Sequence, residues 1–381
     1  MPKSRPIAAP EPPAAPIVTT SERRAFKRCP QRWWWEYREG LRGTTMSSAL
    51  WFGIGIHLAL AHYYGNVGYK RNTDFIEVWD DYCDNDEISK VIKAAPDGFS
   101  EDETWLDAKL LGRTMLQGYQ QTYGRDKDWD VIHVEEPFEI GIPDPRDPSG
   151  ESDVVVFNST FDGVYRDRGT KKILMMEHKT AKAITTDHLQ MDEQGGSYWA
   201  VADIVLRHKG ILQKRDRIEG ITYNFLRKGV PDERPKDAQG YATNKPTKAN
   251  YIEQLQAKGI EVNDKMSLAR LADEAAAAKV RVLGERSKQQ AAPLFHRETM
   301  RRTASERQMM IDRIADEGVI MEGYRSGALP VIKNVTRDCP WDCPFFNMCM
   351  LHEQGAEWEE FRDAVFLVRD PYDRYRTLKS A

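Results

Sequence analysis

The stretch that decides the fold is residues 160–179, which read TFDGVYRDRGTKKILMMEHK. Two short runs of apolar or alternating residues flank a turn at Arg168-Gly169, and this pattern predicts two neighbouring strands. Asp162 in the first strand can then approach Glu177 in the second. Because side chains two residues apart share one face of a strand, Lys179 points the same way as Glu177.

Two carboxylates that converge beside an ammonium group are costly as a packing solution, but they suit a divalent cation. We expect Asp162, Glu177 and the backbone carbonyl of His178 to bind the ion, with Lys179 facing the attacking water or the phosphate. This arrangement fits phosphodiester hydrolysis, since the ion lowers the pKa of water and stabilises negative charge on phosphorus. The alternative is a solvated surface hairpin, which an isolated E-x-K tripeptide would favour.

Three residues elsewhere make the hairpin alternative less attractive. Gln194 and Tyr198 are four apart on the following helix and share one of its faces, so they can orient substrate or the lysine. Ordinary helix polarity is the alternative for this pair. His57 lies in an apolar helix, where it is either a buried core histidine or a further metal ligand. The stretch 43–69 around it carries no formal charge, but the histidines, serines and glycines within it favour a buried helix over a membrane-spanning one.

The segments around this hairpin indicate an α/β sandwich in one domain. Asn158-Ser159 predicts a turn that separates a strand at 153–157 from the one that contains Asp162, and Asp187 is a candidate cap for a helix reaching Leu206. We divide the chain into a disordered Pro-rich tail (1–18), an N-terminal helical region (19–130), a nuclease-like core (131–228), a helical insertion (229–330) and a C-terminal cysteine region (331–381).

Composition narrows the function classes without deciding among them. With 55 Lys and Arg against 59 Asp and Glu, the net charge of -4 excludes a chain that is basic overall. Basic stretches at 21–42 and 205–250 still allow local contact with a polyanion. Five cysteines are too few for a disulfide scaffold, and no secretory signal opens the sequence. We therefore expect an intracellular location, in the host cytoplasm if the protein is virus-encoded.

Cys339, Cys343 and Cys349 lie within eleven residues of one another and predict a metal site. A fourth ligand is needed. Cys29 shares the Cys-Pro context of the first two cysteines and is the better candidate, while Cys83 lies in an acidic setting. Four thiolates can bind either tetrahedral zinc or an iron–sulfur cluster.

These residues, taken in order, resemble the PD-(D/E)XK nucleases of the RecB type, closest to the iron–sulfur branch of CRISPR-associated RecB-like exonucleases and the AddB nuclease domain. The resemblance covers residues 21–349, apart from 229–330. The motifs that carry it are Cys29-Pro30, Gly53-x3-His57, Phe161-Asp162-Gly163, Glu177-His178-Lys179, Gln194-x3-Tyr198 and the three C-terminal cysteines. Cys339 and Cys343 depart from the family pattern, because three residues separate them where the family has two.

The resemblance implies a restriction-endonuclease-like core, a central mixed sheet flanked by helices, with a helical region that binds a 4Fe–4S cluster through Cys29, Cys339, Cys343 and Cys349. It also implies Mg²⁺ or Mn²⁺ bound by His57, Asp162 and Glu177, with Lys179 catalytic and with Gln194 and Tyr198 as the motif of RecB-like members. Glu135 matches an acidic residue on the first core strand of the family.

Related enzymes act on single-stranded DNA in a basic channel, and Arg24, Arg28, Arg207 and Lys209 are candidate contacts. Trp33, Trp34 and Trp35 could stack on bases, but three consecutive side chains cannot share one helix face, and we expect two of them in the core.

We therefore predict a metal-dependent exonuclease that acts on single strands or DNA ends, in recombination, repair or replication. A helicase or recombination protein is the candidate partner. The rival hypotheses are a non-catalytic DNA-binding or assembly protein on a nuclease fold and a zinc-stabilised interaction protein.

Overall fold

The computed structural model describes residues 15–43, 48–65, 74–85 and 105–373, and a six-stranded mixed sheet lies at its centre. The strands are β1 (Ile17–Thr19), β2 (Leu41–Gly43), β3 (Trp129–Pro143), β4 (Asp153–Asp167), β5 (Ile173–Ala181), β6 (Ile218–Arg227), β7 (Phe295–Met300) and β8 (Phe366–Val368). The order in the sheet is β1, β4, β5, β6, β7, with β3 also paired to β4, while β2 and β8 form a separate pair.

Strand β4 organises the sheet because three strands pair with its two edges. One edge pairs antiparallel with β3 along nearly its whole length. The other edge pairs in parallel with β1 at residues 156–158 and antiparallel with β5 at residues 163–166. Asp162 lies where this edge passes from β1 to β5, so the candidate site forms at an opening in the sheet.

Helices cover both faces of the sheet, and others pack outside these two layers. The bounds of all the described helices follow. They are α1 (Thr20–Arg28), α2 (Pro30–Trp33), α3 (Ser48–Tyr64), α4 (Phe75–Asn85), α5 (Trp105–Tyr123), α6 (Glu193–His208), α7 (Lys248–Gln256), α8 (Leu268–Ala277), α9 (Ala304–Arg325), α10 (Cys339–Asp342), α11 (Phe346–Glu353) and α12 (Trp358–Val365). A π-helical turn (Trp34–Arg38) follows α2, and a 3-10 turn (Leu189–Met191) precedes α6. Helices α1, α6 and α9 contribute to the core on one face, and α3, α4 and α5 to the core on the other.

Strand β5 illustrates how the sequence builds these two layers. Ile173 and Met175 are buried in the core that contains α6, whereas Leu174 and Met176 are buried in the core that contains α3. The alternation is the regular period of a strand, and an uninterrupted apolar run is typical of a strand that is covered on both faces. A mixed α/β core of this kind agrees with the fold class predicted from the sequence.

Strand β4 is continuous where the sequence predicted a turn. Asn158 and Ser159 both pair with β3, and their polar side chains are satisfied inside the fold. The Asn158 amide donates to Glu139 Oε1 at 2.7 Å, and the Ser159 hydroxyl donates to Tyr198 at 2.7 Å. The prediction of two strands was wrong here because side-chain hydrogen bonds replace the solvent exposure that polar residues usually indicate.

Helix α6 begins later than predicted. Its N-cap is Asp192, whose carboxylate accepts a hydrogen bond of 2.8 Å from the amide of Gly195. Asp187 precedes the 3-10 turn and does not cap the helix. An acidic residue at either position satisfies the sequence rule for a helix start, so the rule alone could not choose between them.

The segment 229–330, expected to be a helical insertion, also completes the sheet. Strand β7 pairs antiparallel with β6, and α9 packs against α6. Helices α7 and α8 form a separate small core around Leu255 and Leu271. The sequence FHRETM of β7 is short and mostly polar, and its residues are only partly buried, so it carries no strand pattern.

The expected Pro-rich tail (1–18) falls mostly outside the described residues, but Ile17 and Val18 belong to β1. The apolar helix that carries His57 is α3, which packs against the sheet. In the described ranges, no helix is long and apolar enough to cross a lipid bilayer.

Candidate active site

Glu135 interrupts the regular alternation of β3. Val134 is buried with α3, whereas Phe138, four residues later, is buried with α6, although strict alternation would place both on one face. The change of face coincides with Glu135, whose φ of +47° is in the left-handed region that non-glycine residues rarely adopt. Glu135 and Asp162 lie between the paired residues Val134–Gly163 and Glu136–Phe161, and their carboxylate oxygens are within 4.8 Å of each other.

His57, Glu135 and Asp162 form a candidate metal centre. One ligand atom from each lies within 4.8 Å of the other two. His57 projects from α3, with Nδ1 3.4 Å from Oδ1 of Asp162. Two carboxylates form a hard-donor set suited to Mg²⁺ or Mn²⁺, and the imidazole shifts the preference towards Mn²⁺. The residues present therefore fit the ion that the sequence predicted.

The charges of this trio are strongly coupled. Burial alone would lower the pKa of His57, but the negative charges of Asp162, Glu135 and Glu177 outweigh it and raise that pKa to about 9. Burial alone would raise the pKa of Asp162, but the neighbouring His57 lowers it. The protonated imidazole of His57 therefore balances part of the carboxylate charge, as a bound cation would.

Glu177 lies beside this trio and not within it. Its side chain is 2% exposed, and Oε1 accepts a hydrogen bond of 2.7 Å from Lys179. Burial and the negative charge of Asp162 raise the pKa of the Glu177 carboxyl. Asp162 and Glu177 thus lie on neighbouring strands, as the sequence predicted, but Glu135 and not Glu177 completes the closest set of ligand atoms.

Lys179 begins a chain of hydrogen bonds that runs along α6. Its Nζ donates to Oε1 of Gln194 at 2.6 Å, and Nε2 of Gln194 lies 3.3 Å from the hydroxyl of Tyr198. Ser159 donates to the same hydroxyl at 2.7 Å. The structure therefore brings the predicted lysine, glutamine and tyrosine together. Sequence reasoning missed Ser159, although a polar residue three positions before Asp162 in an apolar strand is a usable signal.

Two glycines allow α6 to approach the site closely. A Cβ at Gly195 would overlap the hydroxyl of Tyr223, and a Cβ at Gly196 would overlap the guanidinium of Arg302. The Tyr223 hydroxyl donates to the Asp192 cap at 2.9 Å. The cost of glycine in a helix is therefore offset by a tight contact between the first turn of α6 and strand β6.

His178 faces the opposite layer, as alternation along β5 requires. Its ring stacks on Tyr64 of α3, with centroids 5.9 Å apart. Its backbone amide donates to Oδ2 of Asp162 at 2.7 Å. Its carbonyl was the predicted ligand, whereas the visible link to the site is this amide.

Cys29, Cys339, Cys343 and Cys349 line a single pocket, to which Arg28 also contributes. Backbone amides donate to two of the sulfur atoms, Asn334 to Cys29 and Thr336 to Cys339, each at 3.4 Å. Within the described part of the chain, no three of these sulfurs lie within 4.8 Å of one another. The other candidate, Cys83, is buried in the core that contains α3.

The predicted DNA contacts are dispersed. Arg24 is exposed and lines a cavity of about 260 Å³ that also contains Gln194. Arg28 lies at the cysteine pocket, where its Nε donates to Asp342 at 3.3 Å.

Arg207 and Lys209 lie at the other end of α6, about 20 Å from Gln194 by helical rise. Arg207 donates to the carbonyl of Asp216 at 2.6 Å, and Lys209 is bonded to Glu136 and to the carbonyl of Pro137. Of the four candidates, Arg24 is the one that the structure places beside the site.

The three consecutive tryptophans serve mainly as core. Trp33 and Trp35 are buried in two different hydrophobic clusters, and Trp34 is partly buried between them. Two core tryptophans match the expectation from helix geometry.

A mixed sheet flanked by helices, with a carboxylate–imidazole trio beside a Glu-x-Lys strand, defines a candidate metal-dependent hydrolase site. The chain matches the family model of the PD-(D/E)XK nuclease superfamily over residues 18–350, and it belongs to that superfamily. Members of the superfamily are generally nucleases that use divalent metals. No curated protein matches the chain.

Proposed function

We propose that the protein is a metal-dependent deoxyribonuclease, an exonuclease that acts on single-stranded DNA or on DNA ends. The observation that carries this proposal is the junction of two groups at one opening in the sheet. The trio of His57, Glu135 and Asp162 lies there, and so does the ion pair between the buried Glu177 and the partly exposed Lys179. The pathway we favour is recombination, repair or replication, with a helicase or recombination protein as partner.

Each residue has a distinct role in this proposal. His57, Glu135 and Asp162 would hold Mg²⁺ or Mn²⁺, with Glu177 and the His178 carbonyl as further ligands. When bound, the ion supplies a Lewis acid that polarises a phosphate oxygen and lowers the pKa of water. Lys179 donates hydrogen bonds to the attacking water or to the phosphate, where negative charge develops.

Gln194 and Tyr198 act on Lys179. The 2.6 Å bond from Lys179 to Gln194 fixes the direction of the ammonium group, and Tyr198 steadies the amide of Gln194. Because the ammonium is shared between Gln194 and Glu177, it stays next to the metal centre. Arg24, in the cavity beside Gln194, is our candidate for contact with the DNA backbone.

We also propose that the four cysteines bind a 4Fe–4S cluster, which assigns the protein to the RecB-like iron–sulfur branch. The four thiols line one pocket, and the amide donors at Cys29 and Cys339 are typical partners of cluster ligands.

The test is digestion of end-labelled linear DNA and circular DNA, single- and double-stranded, with Mg²⁺, Mn²⁺ or a chelator. We expect linear strands to be degraded from an end, circles to survive, and the chelator to stop the reaction. Cleavage of circular DNA would show that the enzyme is an endonuclease and not an exonuclease. DNA that stays intact under every metal condition would refute nuclease activity and favour the non-catalytic rival hypotheses.

A further inference from the structure

Beside the metal trio lies a partly buried hydrogen-bonded group centred on Arg297 of β7. Its Nη1 and Nη2 donate to the two carboxylate oxygens of Asp126 at 2.7 and 2.8 Å. Nη2 also lies 3.0 Å from the hydroxyl of Tyr64 and 2.8 Å from that of Tyr119. Nε donates to Oδ1 of Asn224 at 3.1 Å. A planar guanidinium with this many partners is a rigid anchor.

Arg297 fixes the orientation of the Asn224 amide. A guanidinium can only donate, so the Asn224 oxygen must face it and the Asn224 nitrogen must point away. That nitrogen lies 2.8 Å from Nδ1 of His178, which therefore accepts the hydrogen bond. The ring of His178 is then neutral, with its proton on Nε2. A directed chain of donors runs from Arg297 through Asn224 to His178.

His178 connects the hydrogen bonds of Arg297 and Asn224 to the metal centre. The backbone amide of the same residue donates to Oδ2 of Asp162 at 2.7 Å, which leaves the second oxygen of that carboxylate directed towards His57. The peptide unit that orients Asp162 is thus attached to a side chain that Asn224 holds in place.

Helix α3 is held by the same group. Tyr64 bonds to Arg297 and stacks on the His178 ring, with an interplanar angle of 17°. His57 lies seven residues before Tyr64, which is close to two helical turns, so both side chains project from the same side of α3. The elements that carry two of the three metal ligands are therefore fastened to one arginine.

We propose that Arg297 and Asn224 are positioning residues, which keep Asp162 and His57 at the spacing that a divalent ion requires. They act through His178 and Tyr64 and touch neither the ion nor DNA. This inference rests on the proposed metal site, and it gives β7, in the segment 229–330, a role in catalysis that its sequence does not suggest.

The test measures Mn²⁺ binding to the whole protein without DNA, by electron paramagnetic resonance of the free ion. Asn224→Leu removes the three side-chain hydrogen bonds of Asn224, to Arg297, His178 and Tyr119, at similar volume. Arg297→Lys keeps the charge but loses the planar fork. We expect each to weaken Mn²⁺ binding about tenfold or more, the usual range for partners of metal ligands. In the nuclease assay, excess Mn²⁺ should restore the kcat of Asn224→Leu but not that of Lys179→Ala.

Thr222→Val is the matched control. Thr222 lies two residues before Asn224 on the same face of β6 and bonds to Tyr165 at 2.6 Å and to Thr299 at 2.9 Å. Valine removes these buried hydrogen bonds at nearly constant volume without touching His178. We expect Mn²⁺ binding like that of the wild type. Equal weakening in Thr222→Val and Asn224→Leu would reduce the effect to general destabilisation and overturn the inference.

Two further variants keep the outcomes separate. If Asn224→Leu does not fold, Arg297→Lys and Tyr64→Phe decide, and wild-type Mn²⁺ affinity in both would overturn the inference. Asp162→Ala tests the metal site itself. Loss of binding in Asp162→Ala with normal binding in the positioning variants would leave the proposed function intact and refute only the inference, whereas normal binding in Asp162→Ala would refute the metal site.

Discussion

The Nζ atom of Lys179 lies 2.6 Å from Oε1 of Gln194, a residue on the helix that follows its strand. The same nitrogen lies 2.7 Å from Oε1 of Glu177. One bond is to a neutral amide and the other to a buried carboxylate, so the two contacts differ in strength as well as in direction. The amide sets where the ammonium points, and the carboxylate keeps it charged.

The two contacts predict a graded loss of activity. We expect Lys179→Ala to lower kcat by about 10² to 10³, since it removes the donor at the reacting phosphate. Gln194→Ala should lower kcat by about tenfold, because Glu177 still retains the ammonium nearby. Steady-state rates on a labelled single strand measure both. Lys182→Ala, an exposed lysine just past β5, is the control. Equal effects of Lys179→Ala and Lys182→Ala would remove Lys179 from the mechanism.

Metal binding should depend on pH through His57. Its pKa is raised above the ordinary 6.5 to about 9, so the metal-free site is protonated at neutral pH and loses that proton as the pH rises through 9. The interaction between His57 and Asp162 contributes its full stability to the folded state below pH 6.5. That contribution is lost as the pH rises from 6.5 through 9. Since an ion binds only the neutral imidazole, Mn²⁺ affinity should rise about tenfold per pH unit between 7 and 9 and then level off.

Calorimetry in buffers of different ionisation enthalpy checks this directly. We expect Mn²⁺ to release about one proton from His57 at pH 7.5. In His57→Asn this release should disappear. Undiminished release in that variant would assign the proton to another group, such as Glu177.

We expect that Glu135 is needed for activity but lowers the stability of the folded protein. Its left-handed backbone costs roughly 1 kcal/mol or more, and asparagine tolerates that conformation better than glutamate. We expect Glu135→Asn to leave the free energy of unfolding unchanged or to increase it, while activity in Mg²⁺ falls by about 10². Urea unfolding and a nuclease assay measure the two quantities. A variant that keeps full activity would show that Glu135 is not a ligand.

Loss of one cysteine from the pocket should remove the proposed cluster. We expect Cys343→Ser, purified without oxygen, to lose visible absorption and iron and to melt at a lower temperature, because the cluster joins α10, α11 and the N-terminal helices. Cys83→Ala is the matched control, since that thiol is buried in a different core. Zinc in the wild-type protein, without visible absorption, would contradict the cluster.

The parts of the site that the sequence revealed share a local cause. A turn at Arg168-Gly169 and strict alternation along β5 were enough to place Asp162 beside Glu177 and to separate Lys179 from His178. Helical spacing likewise placed Gln194 and Tyr198 on one face. Patterns of this kind depend on a few neighbouring residues, and they survive folding because the strands and helix are regular.

The parts that the sequence did not reveal depend on contacts between distant segments. Glu135 joins the trio because β3 changes face at that residue. A regular alternation of apolar and polar residues does not indicate the position at which the alternation breaks. In strand β7, the partly buried Arg297 finds its hydrogen-bonding partners on α3, α5 and β6, which are far from it in the sequence. Ser159 faces Tyr198 only after α6 has packed over the opening in the sheet.

The pairing of β2 with β8, Leu41 against Val368, has a consequence for synthesis. A ribosome adds about 5 to 20 residues per second, so roughly 15 to 65 seconds pass between translation of residue 43 and that of residue 366. For most of that interval, Trp35 and Leu41 lack their C-terminal neighbours, and Cys29 lacks the other three cysteines of its pocket. A nascent chain therefore exposes apolar side chains and a free thiol near its N-terminus until the C-terminal segment is made, and aggregation or oxidation can compete with folding during that time.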